Sequence, residues 1–117
     1  MTWEEAEALC VMEEAHLVSI RDREENDFVF QRFRSSMGKI WLGGLATCPG
    51  CDDWTWTDGS VFSFTYWDGG EPSNVGGPED CIMMGYFASR PDQWHDLRCT
   101  DANMVVCESR LATTDIC

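Results

Sequence analysis

Seven cysteines in 117 residues constrain this chain more than any other feature. Thiols at that density pair into disulfides, and disulfides persist in oxidising compartments. The expected setting is a secreted protein or the extracellular part of a surface protein. The length suits one domain with a single core. No apolar run approaches the roughly 18 residues that a bilayer span requires. No signal peptide is visible, so the chain reads as an excised domain or a mature fragment. The odd cysteine count leaves one thiol to be explained.

Charge narrows the partners. Lys and Arg number 8 against 21 Asp and Glu, a formal net charge of -13. Phosphate-rich surfaces would be repelled, which argues against nucleic acid and anionic membranes. Hard cations would be attracted. The same charge also serves simply to keep a secreted surface soluble. Asn26, Asn74 and Asn103 all lack a hydroxyl residue two places on, so there is no N-glycosylation sequon.

The chain divides into periodic ends and an irregular middle. Residues 2–14 read as a helix opened by a Thr2/Glu5 capping box, with Ala6, Leu9 and Cys10 facing a core. Residues 15–20 alternate as a short strand. A second helix is expected over 22–35, its apolar face made by Phe28, Val29 and Phe33 with Phe30 beside them. Residues 40–45 (Ile-Trp-Leu-Gly-Gly-Leu) read as a buried strand. From 46 to 78 the periodicity largely disappears, and six Gly and three Pro mix with Trp54, Trp56, Phe62, Phe64, Tyr66 and Trp67. Such a stretch predicts a long loop that packs on itself. Strands follow at 81–86, 93–97 and 104–108. Helices early and strands late predict an α+β domain. Within the loop, Cys48-Pro49-Gly50-Cys51 suits a local disulfide closed by a tight Pro-Gly turn. A redox pair or half of a zinc site remain the alternatives, though no βαβ context and no second ligand pair supports either.

Taken in order, several segments resemble the C-type lectin family. They are Thr2-Trp3-x-x-Ala6-x-x-x-Cys10, Leu17-Val18-Ser19-Ile20, Glu25-Asn26-x-Phe28-Val29 and Trp41-Leu42-Gly43-Gly44-Leu45. Glu71-Pro72-Ser73, Glu79-Asp80-Cys81, Trp94-His95-Asp96, Cys99 and Cys107 follow. The resemblance covers nearly the whole chain. It implies one C-type lectin-like domain over 1–117, with two helices flanking antiparallel sheets and a long structured loop. It also implies a strand before the first helix; the sequence opens at that helix, so the expectation is either a strand cut away or a naturally short domain. The implied disulfides are Cys10–Cys107 and Cys81–Cys99. With Cys48–Cys51 closed locally, Cys117 is left for a partner elsewhere, such as a second copy of the chain.

The resemblance further implies a calcium-dependent sugar site formed by Glu71, Ser73, Glu79, His95 and Asp96, with a cis Glu71–Pro72 bond aiming two side chains at one ion. Calcium takes six to eight hard oxygens, and three of these residues are carboxylates. In the family, sugar hydroxyls complete the coordination while the same side chains bond to them. Ser73 stands where the pattern has Asn or Asp. His95 stands where it has Asn, and imidazole suits zinc better than calcium, so a zinc-preferring variant is kept. The family's auxiliary calcium site is expected to be absent, with the Cys48–Cys51 turn taking over its stiffening. Glu71 leans towards mannose-type sugars, since Val75 cannot stack as an aromatic would for galactose.

Trp54, Trp56, Trp67 and Trp94 read as core more than as a sugar platform, the six Met as hydrophobic filler, and His16 as a structural histidine. A glycosidase built on Glu71 and Glu79 is disfavoured, because so small a domain offers little room for a cleft. The chief competitor is a calcium-independent, protein-binding domain of the same fold. The expectation is a non-enzymatic lectin for glycan recognition in defence or adhesion.

Overall fold

The computed structural model describes residues 1–33, 39–68, 79–85 and 92–108. Helix α1 runs Trp3–Met12, strand β1 His16–Leu17, helix α2 Arg23–Phe33 and strand β2 Lys39–Ala46. Strands β3 (Trp54–Trp56), β4 (Cys81–Gly85), β5 (Trp94–Leu97) and β6 (Cys107–Glu108) follow.

Helix α1 starts where the sequence places it. Thr2 Oγ1 accepts the Glu5 N–H at 3.3 Å, and Glu5 Oε1 accepts the Thr2 N–H at 3.0 Å. Those bonds hold the Glu5 carboxyl below its ordinary range, with the Thr2 backbone N–H as the main cause. The buried face is Trp3, Ala6 and Cys10, one stripe at helical spacing. Leu9, expected on that face, lies at its edge and is 36% exposed. In α2 the expected face is corrected more sharply. Val29 is buried and Phe30 packs on the core, but Phe28 is 65% exposed. The Phe33 side chain lies outside the described residues, as do Tyr86 at the end of one expected strand and Met37.

A four-stranded antiparallel sheet, in the order β3-β2-β4-β5, forms the centre, and β1 pairs with β6 separately. Strand β3 was not expected. Trp54 and Trp56 face inward with Thr55 outward, too short an alternation to stand out in an aromatic-rich loop. The strand from 15 to 20 shrinks to two residues, and Met104 makes only an isolated bridge to Ile40. Along β2 the two glycines are required by close approach. A Cβ on Gly43 would lie 2.7 Å from the Leu17 carbonyl oxygen, and one on Gly44 would collide with the Ile82 side chain. The register with β4 shifts between Trp41 and Leu45, where the glycines lie.

Alternate residues of this sheet feed two cores, as a pleat buried on both sides dictates. Ile40, Leu42, Ile82, Met84 and Trp94 join Val18, Ile20, Val29, Trp54 and Trp56 on one face. Trp41, Cys81, Met83 and Leu97 meet Trp3, Ala6 and Cys10 of α1 on the other. Met83 and Met84 are core filler as expected, whereas Met1, Met12 and Met104 are exposed. Disulfides join Cys10 to Cys107, Cys81 to Cys99 and Cys48 to Cys51. Cys117 lies outside the described residues.

Candidate functional site

Of the residues singled out for binding, Glu79, His95 and Asp96 lie on or beside one strand pair. β4 and β5 run antiparallel with Ile82 opposite Asp96, Met83 opposite His95 and Met84 opposite Trp94. Cys81–Cys99 ties the start of β4 to the segment after β5. Glu79, two residues ahead of Cys81, is half-buried, and Asp96 is 2% exposed. Glu71 and Ser73, with the Glu71–Pro72 bond, lie outside the described residues.

In the same strand as Asp96 stands Trp94, fully buried and surrounded by rings. Its centroid lies 5.6 Å from Trp56, 6.2 Å from Phe62, 5.9 Å from Phe64 and 5.7 Å from Trp67, each in an edge-on arrangement. Edge-to-face contacts suit the ring quadrupoles and are each worth about 0.5–1.5 kcal/mol beyond burial. The backbone joins in: the Trp94 N–H donates to the Tyr66 carbonyl at 2.8 Å, and the Asp68 N–H to the Trp94 carbonyl at 3.0 Å. Trp54, Trp56 and Trp67 are thus packed into the loop's core, in keeping with the reading from the sequence.

Two residues enter that the sequence reading had given no role. Asn26, fully buried on α2, accepts the Trp94 indole N–H on Oδ1 at 2.7 Å and donates through Nδ2 to the Asp92 carbonyl at 2.9 Å. A buried amide with both ends bonded fixes the helix against the start of β5. Asn26 stood within a motif the sequence displays, but nothing local signals its partners 66 and 68 residues away. The second is Asp68, whose Oδ2 lies 3.1 Å from His95 Nε2, both side chains being largely buried. Nearby, the Arg23 guanidinium covers the Tyr66 ring at 4.4 Å, and its bond to Asp27 raises its pKa above the ordinary value.

His16 is a structural residue. Its Nδ1 lies 2.6 Å from Glu7 Oε2, and Glu7 also accepts the Leu17 N–H and the Thr57 hydroxyl.

With this geometry in view, the comparisons with known proteins are specific. Residues 1–109 match the family model described as the lectin C-type domain. The chain belongs to the C-type lectin domain family. It is 34% identical over 117 residues to human C-type mannose receptor 2, covering 97% of this chain and 8% of that receptor. The human scavenger receptor C-type lectin carbohydrate-recognition domain superposes with a TM-score of 0.80 at 29% identity, over 92% of this chain and 81% of that one. A calcium-independent type II antifreeze protein superposes at 0.75 with 31% identity, over 92% and 77%. The family is non-enzymatic, and its members similar to this chain include carbohydrate-recognition domains. Among the described residues, no helix is long and apolar enough to cross a membrane.

The donor chemistry of this C-type lectin domain can be tested against the calcium that the family typically binds. Glu79 and Asp96 offer carboxylate oxygens, which fit a hard cation. His95 fits less well, since its Nε2 already faces Asp68. Among the described residues alone, no three His, Cys, Asp or Glu side chains are grouped to hold a metal. Glu71 and Ser73, the other two expected ligands, lie outside the described residues. Asp80, beside Glu79, accepts the Gly50 N–H on Oδ1 at 2.9 Å.

Proposed function

We propose that this domain binds glycans outside the cell through a calcium ion held by Glu71, Ser73, Glu79 and Asp96, with mannose-type sugars favoured. The observation that carries the reading is the β4–β5 pairing, reinforced by Cys81–Cys99, which holds the segments bearing Glu79 and Asp96 side by side. Both residues bring hard oxygens. A bound calcium would supply coordination positions that two neighbouring sugar hydroxyls can fill. His95 is assigned to the sugar and not to the ion. The relatives named for mannose and carbohydrate recognition support the ligand class. Glu71 in front of Pro72 supports the mannose preference.

A single shallow site of this kind binds on the order of millimolar, about −4 kcal/mol. Useful strength comes from several copies, and a bridge through Cys117 between two chains would provide them. Glycan recognition of this type serves defence or adhesion.

A second reading keeps the fold and discards the ion: a calcium-independent, protein-binding domain. The Asp68–His95 pairing favours it, as do Ser73 in the ligand motif and the likeness to a calcium-independent antifreeze protein. Among the described residues, nothing favours zinc. The deciding experiment is retention on mannan and galactose resins in calcium, zinc or chelator, with thermal melting in the same buffers. The calcium reading expects mannan retention and a raised melting temperature in calcium, both abolished by chelator. Indifference of both measurements to chelator would sink it in favour of the second reading.

A further inference from the structure

The four-residue turn at Cys48–Cys51 reaches into the binding region. The disulfide closes the turn, the Cys51 N–H donates to the Cys48 carbonyl at 3.0 Å, and Gly50 adopts φ +74°. Only glycine takes that conformation without strain, and it directs the Gly50 N–H onto Asp80 Oδ1 at 2.9 Å, across 30 residues of sequence. The base of the turn is pinned as well. The Thr47 N–H donates to the Asp53 carbonyl at 2.8 Å, and the Thr47 hydroxyl to Asp53 Oδ2 at 3.1 Å. The Ala46 N–H donates to the Asp80 carbonyl at 2.8 Å. Residue 80 is thus held by its side chain from the turn and by its backbone from the end of β2. On one side of it stands Glu79; on the other, Cys81 enters β4 and the bridge to Cys99.

The geometry points to the Cys48–Cys51 turn as a brace that positions Glu79 for ligand binding by way of Asp80. What Glu79 binds rests on the calcium-and-glycan reading above. The physical basis is population. An open four-residue turn with a central Pro-Gly samples several conformations, and only those with the Gly50 N–H aimed at Asp80 keep the clamp. Affinity falls in proportion to the fraction of molecules in the competent arrangement. The turn is exposed, so its opening leaves both cores packed. Asp80 and the two cysteines are positioning residues, and the effect they exert should be separable from stability.

The test uses the full chain and compares wild type with the double variant Cys48→Ser/Cys51→Ser, with Asp80→Ala, and with Asp80→Asn. Mannose affinity in calcium, thermal melting and amide hydrogen exchange at Gly50 and Cys81 are read together. The double variant and Asp80→Ala should each lose about tenfold in affinity, the lower range for partners that orient a metal's ligands, while melting near wild type. Asp80→Asn, which keeps a carbonyl oxygen for the Gly50 N–H, should recover most of that loss. Combining the double variant with Asp80→Ala should add little, because both cut the same link. Wild-type affinity in the double variant, or losses that simply add, would overturn the brace. Should the wild type bind no sugar at all, the proposed function fails by itself. The brace is then judged by exchange: faster Gly50 and Cys81 amides in both disrupted variants support it, and unchanged rates refute it.

Discussion

The two faces of the central sheet reach order by different routes. On the α1 face, small and regular parts meet: Trp3, Ala6 and Cys10 at helical spacing pack on Trp41, Met83 and Leu97. Two disulfides, Cys10–Cys107 and Cys81–Cys99, run through this core. On the opposite face, an irregular loop supplies Phe62, Phe64, Tyr66 and Trp67, which pack against a core that contains Trp94. One side is ordered by backbone periodicity and covalent closure, the other by rings converging on a single indole. A loop can therefore be irregular without being loose, provided that one well-anchored ring organises it.

That contrast can be broken at either face. Replacing Cys10 and Cys107 together by Ala should cost about 4–5 kcal/mol in chemical denaturation, the loop-entropy value for a closure of this length; the bridge spans 97 residues. A loss below about 1 kcal/mol would mean that packing alone holds the α1 face. Next in size is Trp94→Phe, which keeps a ring but removes the indole N–H that Asn26 accepts. Leaving that buried oxygen unpaired should cost about 1–3 kcal/mol, and aromatic near-ultraviolet dichroism should change with it. If stability and dichroism both stayed put, the loop face would not depend on its hub in the way described.

Smaller effects sharpen the picture of α1. Thr2→Ala removes the hydroxyl half of the capping box and should cost about 1 kcal/mol, measured as a lower denaturation midpoint with unchanged slope. The smallest expectation concerns acid. The Glu5 carboxyl is held below its ordinary range by the Thr2 bonds, so the unfolded chain takes up a proton before the folded one does. Its contribution is complete above the ordinary carboxylate value and disappears as pH falls through the lowered folded value. The melting-temperature gap between wild type and Glu5→Ala should accordingly be largest near neutrality and close in acid. A gap independent of pH would show that the carboxylate's charge plays no part in the box.

Much of the fold was legible beforehand. The capping box, the Gly-Gly strand and the partners of Cys10, Cys48 and Cys81 follow from short motifs or from the family resemblance they carry. Exposure was harder to read. Phe28 and Leu9 sit in helices at apolar positions, yet which edge of a helix is covered depends on the width of the surface packed against it. Strand β3 is not legible in the sequence, because its 3 residues give too brief an alternation among so many aromatics. At the candidate site, Glu79 and Asp96 are legible as carboxylates within motifs that the family resemblance carries. Asp68 was not, because no spacing rule links it to His95.

By itself the sequence determined whatever depends on residues a few positions apart: where α1 begins, how the Cys48–Cys51 turn closes, and why Gly can stand at its tip. Only the tertiary structure decided the contacts that cross the chain. Asn26 meets Trp94 over 68 residues, and Gly50 meets Asp80 over 30. The reason is physical. A short-range bond is limited by local dihedral preferences, which each residue type carries with it, whereas a long-range bond forms only after the loop between its partners has been closed by everything else that packs.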